Sequence, residues 1–374
     1  MPLPAEQPPS STSPSEVIAF LRFPLCALIV LYHAFKISVT LPADAFDYHQ
    51  PVTDFLYWHI LHDSIATSAV PLFFAISGYL YFHTPGFSAS LWLEKTRKRF
   101  FRLIVPLLSW TFLGFLLLFA FHVLNLPNAL AKTYFDTPHS FAWWLDSFVG
   151  FLNPMGPRLA PVAWFVRDLF VVGLLSPLLW LCLRRRIAAA ILLALFFALY
   201  LFWFAPLPFL GSRALFFFSL GAACSIHQRD FLCDARRWAL PFLLLWVLDV
   251  ALRFHVRSGL LHSVSGHFLP VLFIPSILAA AGILSKRFRF PPWLAASSFF
   301  VYFCHESLWI LIPWHYALTR IFIPVSDVSC LAVILVNAAG EIAICVTLYA
   351  LLKRFFPWAL VCLAGESLPR KPAH

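Results

Sequence analysis

The feature that most limits what this chain can become is a recurrence of long apolar runs, each closed by a basic cluster, a Pro or a polar stretch. A helix needs ~20 mostly apolar residues to cross ~30 Å of hydrocarbon. Ten such segments stand at about 17–39, 64–83, 103–124, 161–183, 187–204, 212–227, 238–253, 267–284, 294–318 and 329–352. No stretch of soluble-domain composition is left between them. Charged residues make up 12% of the chain and hydrophobic residues 61%, whereas soluble domains carry roughly 25% charged residues. The sequence therefore predicts an all-α, polytopic integral membrane protein of about ten transmembrane helices.

Orientation follows from the basic residues, which favour cytoplasmic connections. With the N-terminus in the cytoplasm, every inner connection is basic: Lys95 to Arg102, Arg184 to Arg186, Arg229 to Arg237, Lys286 to Arg289, and Lys353 to Lys371. The outer side receives only Lys36, Lys132, Arg158, Arg253, Arg257 and Arg320, while Arg22, Arg167 and Arg213 fall within spans. Both termini are thus expected in the cytoplasm, with a disordered tail over 1–15, a membrane domain over 16–354 and a second tail over 355–374. The segments at 212–227 and 238–253 are short for upright spans, and a tilted, broken or re-entrant course is open to them. The first fifteen residues lack the basic region and cleavage site of a secretory signal, so the first span is expected to stay attached.

The net charge of +10 is spread through connections between spans, and no basic domain exists to bind nucleic acid. The eight Cys show no paired spacing, which suits small core hydrophobes better than disulfides or a metal site. Two outer connections, about 40–63 and 125–160, are long enough to be functional. The first contains His59, His62 and Asp63, an HxxHD spacing without an evident third metal ligand, so no metal is expected.

An ionisable side chain at the bilayer centre costs at least ~2.5 kcal/mol, so each one in a span needs a reason. Arg22 and His33 in the first span are separated by about 16 Å along a helix and lie within about 20° of the same face. Two readings fit: a snorkelling Arg22 with a satisfied core His33, or a cation and an imidazole aimed into one interior channel. Ser77 and Gly78 in the second span permit close helix packing. Arg99 and Arg102, preceded by Lys95, Arg97 and Lys98, suit a polyphosphate, and equally suit a topology signal touching anionic lipid. His305 and Glu306 near the middle of the ninth span and Glu341 near the middle of the tenth either satisfy one another or line a proton or substrate path. Arg167 and Asp168 near the outer end of the fourth span admit the same two readings.

Six segments taken together have a further significance. Arg22-x10-His33, FFAISGYL in the second span, Arg99-Phe-Phe-Arg102, AWFVRDLF at 163–170, RALFFFSLGA at 213–222 and FFVYFCHESL at 299–308 resemble, in order, the motifs of the membrane-bound acyltransferase-3 family, the polysaccharide O-acyltransferases. That resemblance implies a multi-pass enzyme of the bacterial cytoplasmic membrane. It would move an acyl group, usually acetyl, from acyl-coenzyme A to a hydroxyl of a cell-surface or lipid-linked carbohydrate. His33 would be the catalytic histidine with Arg22 as its motif partner, and Arg99 and Arg102 would form the donor-binding pair, helped by Lys98 and Arg97. Acyl-CoA enters as substrate, and no tightly bound cofactor is implied. Many members carry a C-terminal soluble hydrolase-like domain; none follows the tenth span in this sequence, which leaves open whether a separate protein completes the transfer.

The residues are compatible with that chemistry. A sugar hydroxyl needs a base near neutrality as it attacks a thioester, and an imidazole meets the need as general base or as a covalent acyl relay. Arg22, Arg167 and Arg213 are candidate oxyanion donors, with Asp168, His305, Glu306 and Glu341 as candidate acceptor contacts. The alternative class is a carrier or flippase for a glycolipid or small solute, for which paired broken helices and internal repeats are expected and not found.

Overall fold

The protein is described by a computed structural model covering residues 13–36, 51–84, 86–126, 129–153, 156–202, 209–256 and 259–367. Among these residues it is helical and contains no strand. Residues 1–12 of the tail expected inside, residues 37–50 of the connection expected outside, and Arg257, Arg370 and Lys371 lie outside the described residues.

Helix α1 (Pro14–Lys36) starts where chain chemistry says it should. The Ser13 hydroxyl accepts from the Glu16 N–H at 3.3 Å while the Glu16 carboxylate accepts from the Ser13 N–H at 3.1 Å, and Pro14 occupies the first turn. This capping box satisfies two of the amide groups left over at a helix start. There follow α2 (Pro51–Phe82), α3 (Ala89–Val123), two short outer helices α4 (Ala129–Phe135) and α5 (Phe141–Val149), then α6 (Pro161–Leu174) and α7 (Ser176–Leu183). The second half contains α8 (Arg186–Phe202), α9 (Ser212–Ile226), α10 (Phe231–His255), α11 (Gly259–Arg287), α12 (Pro292–Cys304), α13 (Leu308–Ile321), α14 (Asp327–Phe355) and α15 (Pro357–Ala364).

Five of these, α1, α2, α3, α11 and α14, are long and apolar enough to cross a membrane, and α6 with α7 makes a sixth span bent by 60°. The protein is therefore a multi-pass membrane protein. All ten expected apolar segments are helical where described, but two are broken. The fourth bends between α6 and α7, where Pro177 stands in the first turn of α7 and cannot continue the preceding hydrogen-bond ladder. The ninth stops at Cys304 and resumes at Leu308. His305 and Glu306 therefore lie in a helix break, not in mid-helix.

Two stretches expected as connection and tail are more ordered than that expectation. His59, His62 and Asp63 sit on a π-helical run, Asp54–Ile65, that leads directly into the rest of α2. Such wide turns concentrate at functional sites. The expected C-terminal tail also begins with structure: α15 packs against α3, and the Trp110 indole N–H donates to the Leu363 carbonyl at 2.9 Å.

Helix α1 is central, packed against α2, α11, α12 and α14. The tightest helix pair is α2 with α9. A Cβ on Gly78 would stand 2.0 Å from the Phe218 carbonyl oxygen, and one on Gly221 would stand 1.9 Å from that of Ala75. Reciprocal glycines let the two backbones touch, which is how helices associate where no hydrophobic force separates them from lipid. Gly221→Ala should therefore force the pair apart, costing about 1–3 kcal/mol. The expected readout is a lower melting temperature and a reduced monodisperse fraction in detergent size-exclusion chromatography; wild-type behaviour would show that the contact is not needed.

Candidate functional site

The break between α12 and α13 brings Glu306 against the last turn of α1. His33 Nδ1 lies 3.3 Å from Glu306 Oε1, and Lys36 Nζ lies 2.5 Å from Glu306 Oε2. The carboxylate side chain is only 6% exposed. His33 and Lys36 are three residues apart, which sets them on neighbouring positions of one helical face. The carboxylate thus sits between an imidazole and an ammonium. Lys36 carries part of this site, although its sequence position suggested only an outer-side charge.

His305 completes the group. Its Nδ1 lies 3.1 Å from the Val301 carbonyl, a geometry that places the proton on Nδ1 and a lone pair on Nε2. That Nε2 is buried without a hydrogen-bond partner among the described residues. The His305 ring is 5.4 Å from that of His33. The donor atoms of His33, His305 and Glu306 lie within 4.8 Å of one another and could hold a metal ion; Lys36 already supplies a cation to the same carboxylate.

A second polar network fixes the end of α1. The Asn337 amide donates to the Ala34 carbonyl at 2.9 Å and to Glu341 Oε1 at 3.0 Å, and its oxygen accepts from the Trp314 indole at 2.8 Å. His315 Nε2 is 2.9 Å from the same Glu341 oxygen. The partner of Glu341 is therefore His315 from α13, not the His305 and Glu306 pair weighed from sequence. Asn337 lies ten residues into α14, roughly 15 Å from its outer end, so the His33 group is held deep inside the bundle.

Arg22 occupies a different region. It lines a cavity of about 520 Å³ together with Lys95, Lys98, Arg99, Arg102, Phe165 and Tyr302. Among the described residues neither Arg22 nor Arg102 pairs with a carboxylate. Arg97 is exposed and outside this lining. Arg99 is built into the wall: it donates to the Ser77 hydroxyl at 2.7 Å and the Leu169 carbonyl at 3.1 Å and lies 4.6 Å over the Tyr81 ring. The RxxR pair thus divides, with Arg99 fixed and Arg102 directed to the cavity.

A smaller cavity of about 220 Å³ lies on the far side, lined by Glu306, Lys36, Arg158 and neighbours. The two share no lining residue. Between them the Tyr302 hydroxyl, from the wall of the larger one, donates to the Val162 carbonyl, from the wall of the smaller.

Arg167 and Asp168 form a buried ion pair at 2.9 Å. Arg167 also donates to the carbonyls of Gly150 and Asn153, and Asp168 accepts from the Gly211 N–H at 2.9 Å. Together they brace the outer 150–153 segment and the start of α9 against α6. Arg213 lies 5.7 Å over the Trp164 ring. On α2, His62 pairs with Asp63 at 2.7 Å and stacks 4.1 Å from Tyr32, and Asp63 pairs with Arg253 at 3.2 Å.

A family model described as an acyltransferase domain matches residues 17–360. Among curated proteins, the succinoglycan biosynthesis protein ExoH of Rhizobium meliloti (strain 1021) is 34% identical over 172 residues. That alignment takes in 45% of this chain and 43% of the relative, so less than half of either protein is covered. No solved structure matches.

The Arg167 and Asp168 brace has a measurable consequence. Asp168→Ala leaves a buried guanidinium without its counter-charge, which costs about 3–5 kcal/mol. Thermal unfolding in detergent should show a strongly lowered midpoint, less lowered for Asp168→Asn. An unchanged midpoint in Asp168→Ala would refute the brace.

Proposed function

Since this chain belongs to the acyltransferase family whose domain it matches over residues 17–360, we propose that it transfers an acyl group from acyl-CoA to a carbohydrate hydroxyl in a bacterial cytoplasmic membrane, with His33 as general base. The observation that carries this reading is the imidazole of His33 set 3.3 Å from a buried carboxylate that itself lines the smaller cavity. The name of the ExoH relative supports a polysaccharide acceptor, and acetyl is the expected acyl group.

In this reading the donor occupies the larger cavity. Arg22 and Arg102 meet the phosphates of the coenzyme, for which guanidinium groups are geometrically suited. From Arg22 to His33 the helix rises about 16 Å, a distance that an extended pantetheine arm spans. The thioester then reaches the imidazole only if Tyr302 swings off the Val162 carbonyl and joins the two cavities.

His33 takes the proton of the acceptor hydroxyl as its oxygen attacks the thioester carbonyl. Glu306 holds the ring in place and stabilises the imidazolium that forms. The tetrahedral intermediate carries an oxyanion, and Lys36, joined to the site through Glu306, is the nearest cation to balance it. Collapse breaks the carbon–sulfur bond, forms the ester and releases coenzyme A thiolate, which recovers the proton from His33. Arg22 serves the donor in this scheme and Arg167 the fold, so neither is assigned to the oxyanion.

Purified protein in liposomes, given labelled acetyl-CoA and a bacterial polysaccharide pool, tests the reading. His33→Ala should lower transfer by about 100-fold or more while the protein remains folded. Equal transfer by mutant and wild type would remove His33 from the mechanism, and solute movement without acyl transfer would favour a carrier. A separate pair addresses the donor. Arg102→Ala should raise KM for acetyl-CoA about tenfold, the loss of one charge-assisted contact, whereas Arg97→Ala should leave it unchanged. Equal effects would assign the basic run to membrane topology.

A further inference from the structure

The smaller cavity is not explained by donor binding. It lies between α3, the turn before α6 and the break after α12, lined by Trp110 and Phe303 among its apolar residues, with Lys36, Arg158, Glu306 and Ser307 as its polar groups. Its volume is about 220 Å³, below the ~300–1,000 Å³ of pockets for drug-sized ligands and fitted to a single sugar ring. We propose that it is the acceptor subsite and that it holds one pyranose residue of the carbohydrate chain. The proposal rests on the acyl-transfer reading above and adds to it where the alcohol enters and what frames it.

Four observations converge. First, the cavity is lined by Glu306 and Lys36, and the same carboxylate lies 3.3 Å from His33 Nδ1, so an alcohol bound in the cavity lies one side chain away from the base. Second, the lining pairs aromatic and apolar walls with few polar groups, matching a pyranose, which has apolar C–H faces and a polar rim. Trp110 is held rigidly, its indole N–H bonded to Leu363 and its ring parallel to Phe303 at 6.0 Å. Third, a Cβ on Gly114 would come within 2.5 Å of the Leu159 carbonyl oxygen, so the wall formed by 158–162 is fixed against α3. Fourth, Arg158 stands at the rim with its side chain 46% exposed, and its distance to Asp146 is 3.9 Å, leaving guanidinium donors for the next sugar of a chain.

The experiment fills the cavity without touching the base. Ala160→Phe projects a ring into it, and Arg158→Glu reverses the charge at a rim side chain that is 46% exposed, with a thermal melt of each purified variant to check that it folds. Each variant is expressed in cells of the host strain lacking the native protein, and ester-linked acyl groups on the cell polysaccharide are measured against membrane protein level. Acetyl-CoA binding is measured separately on purified protein. The expected result is loss of polysaccharide acylation in Ala160→Phe and at least a tenfold drop in Arg158→Glu, with wild-type acetyl-CoA affinity in both. Wild-type acylation in both variants would overturn the subsite, as would a matching loss of acetyl-CoA binding, which would give the cavity to the donor. If wild type itself fails to bind acetyl-CoA yet acylates the polysaccharide, the donor assignment fails and the subsite stands on the cell result alone.

Discussion

A carboxylate buried in a membrane protein is costly unless it is paired, by several kcal/mol even after relaxation, and the organisation of this protein's centre follows from how Glu306 is accommodated. His33 and Lys36 approach it from one helix. That requires α1 to end at this depth and the chain after Cys304 to leave helical geometry so that Glu306 can turn inward. Asn337 then pins the last turn of α1 through the Ala34 carbonyl, and His315 with Glu341 holds Asn337 in turn. Two buried ion-pair systems thus fix one short stretch of backbone. Removing a member of either exposes its partners to an unpaired interior.

Much of the architecture is written in the sequence because the bilayer admits few solutions. Runs of apolar residues must be helical, and the basic clusters expected at one end of the spans bring Arg22, Lys98 and Arg102 to the lining of one cavity. What hydropathy cannot register is a break inside an apolar run. The ninth segment reads as continuous, yet His305, Glu306 and Ser307 interrupt it, and only three-dimensional pairing shows why. Lys36 looks like an outer charge for the same reason, since its partner is 270 residues away. The depth of Glu341 in its span fits either a buried pair or a polar path, and nothing in the periodicity of the preceding segment singles out His315 as the partner that settles it.

The RxxR segment illustrates a second limit. Spacing makes Arg99 and Arg102 look equivalent, whereas packing separates them. Gly173, whose absent Cβ would stand 2.9 Å from an Arg99 guanidinium nitrogen, opens the slot in which Arg99 is fixed, while Arg102, which also lines the cavity, has no carboxylate partner among the described residues. Two cavities at different depths, divided by the Tyr302 and Val162 contact, suit a reaction whose donor and acceptor arrive from opposite sides of a membrane. Keeping them apart until both are filled would protect the thioester from water.

The central claim is that Glu306 acts through His33 and does not merely hold the helices together. Glu306→Gln keeps the shape of the side chain and removes its charge. Measured on folded, purified protein with saturating acetyl-CoA, kcat for transfer should fall by about 100-fold or more, with acetyl-CoA affinity unchanged. A wild-type kcat in this variant would contradict the claim and leave the carboxylate as a structural ion pair.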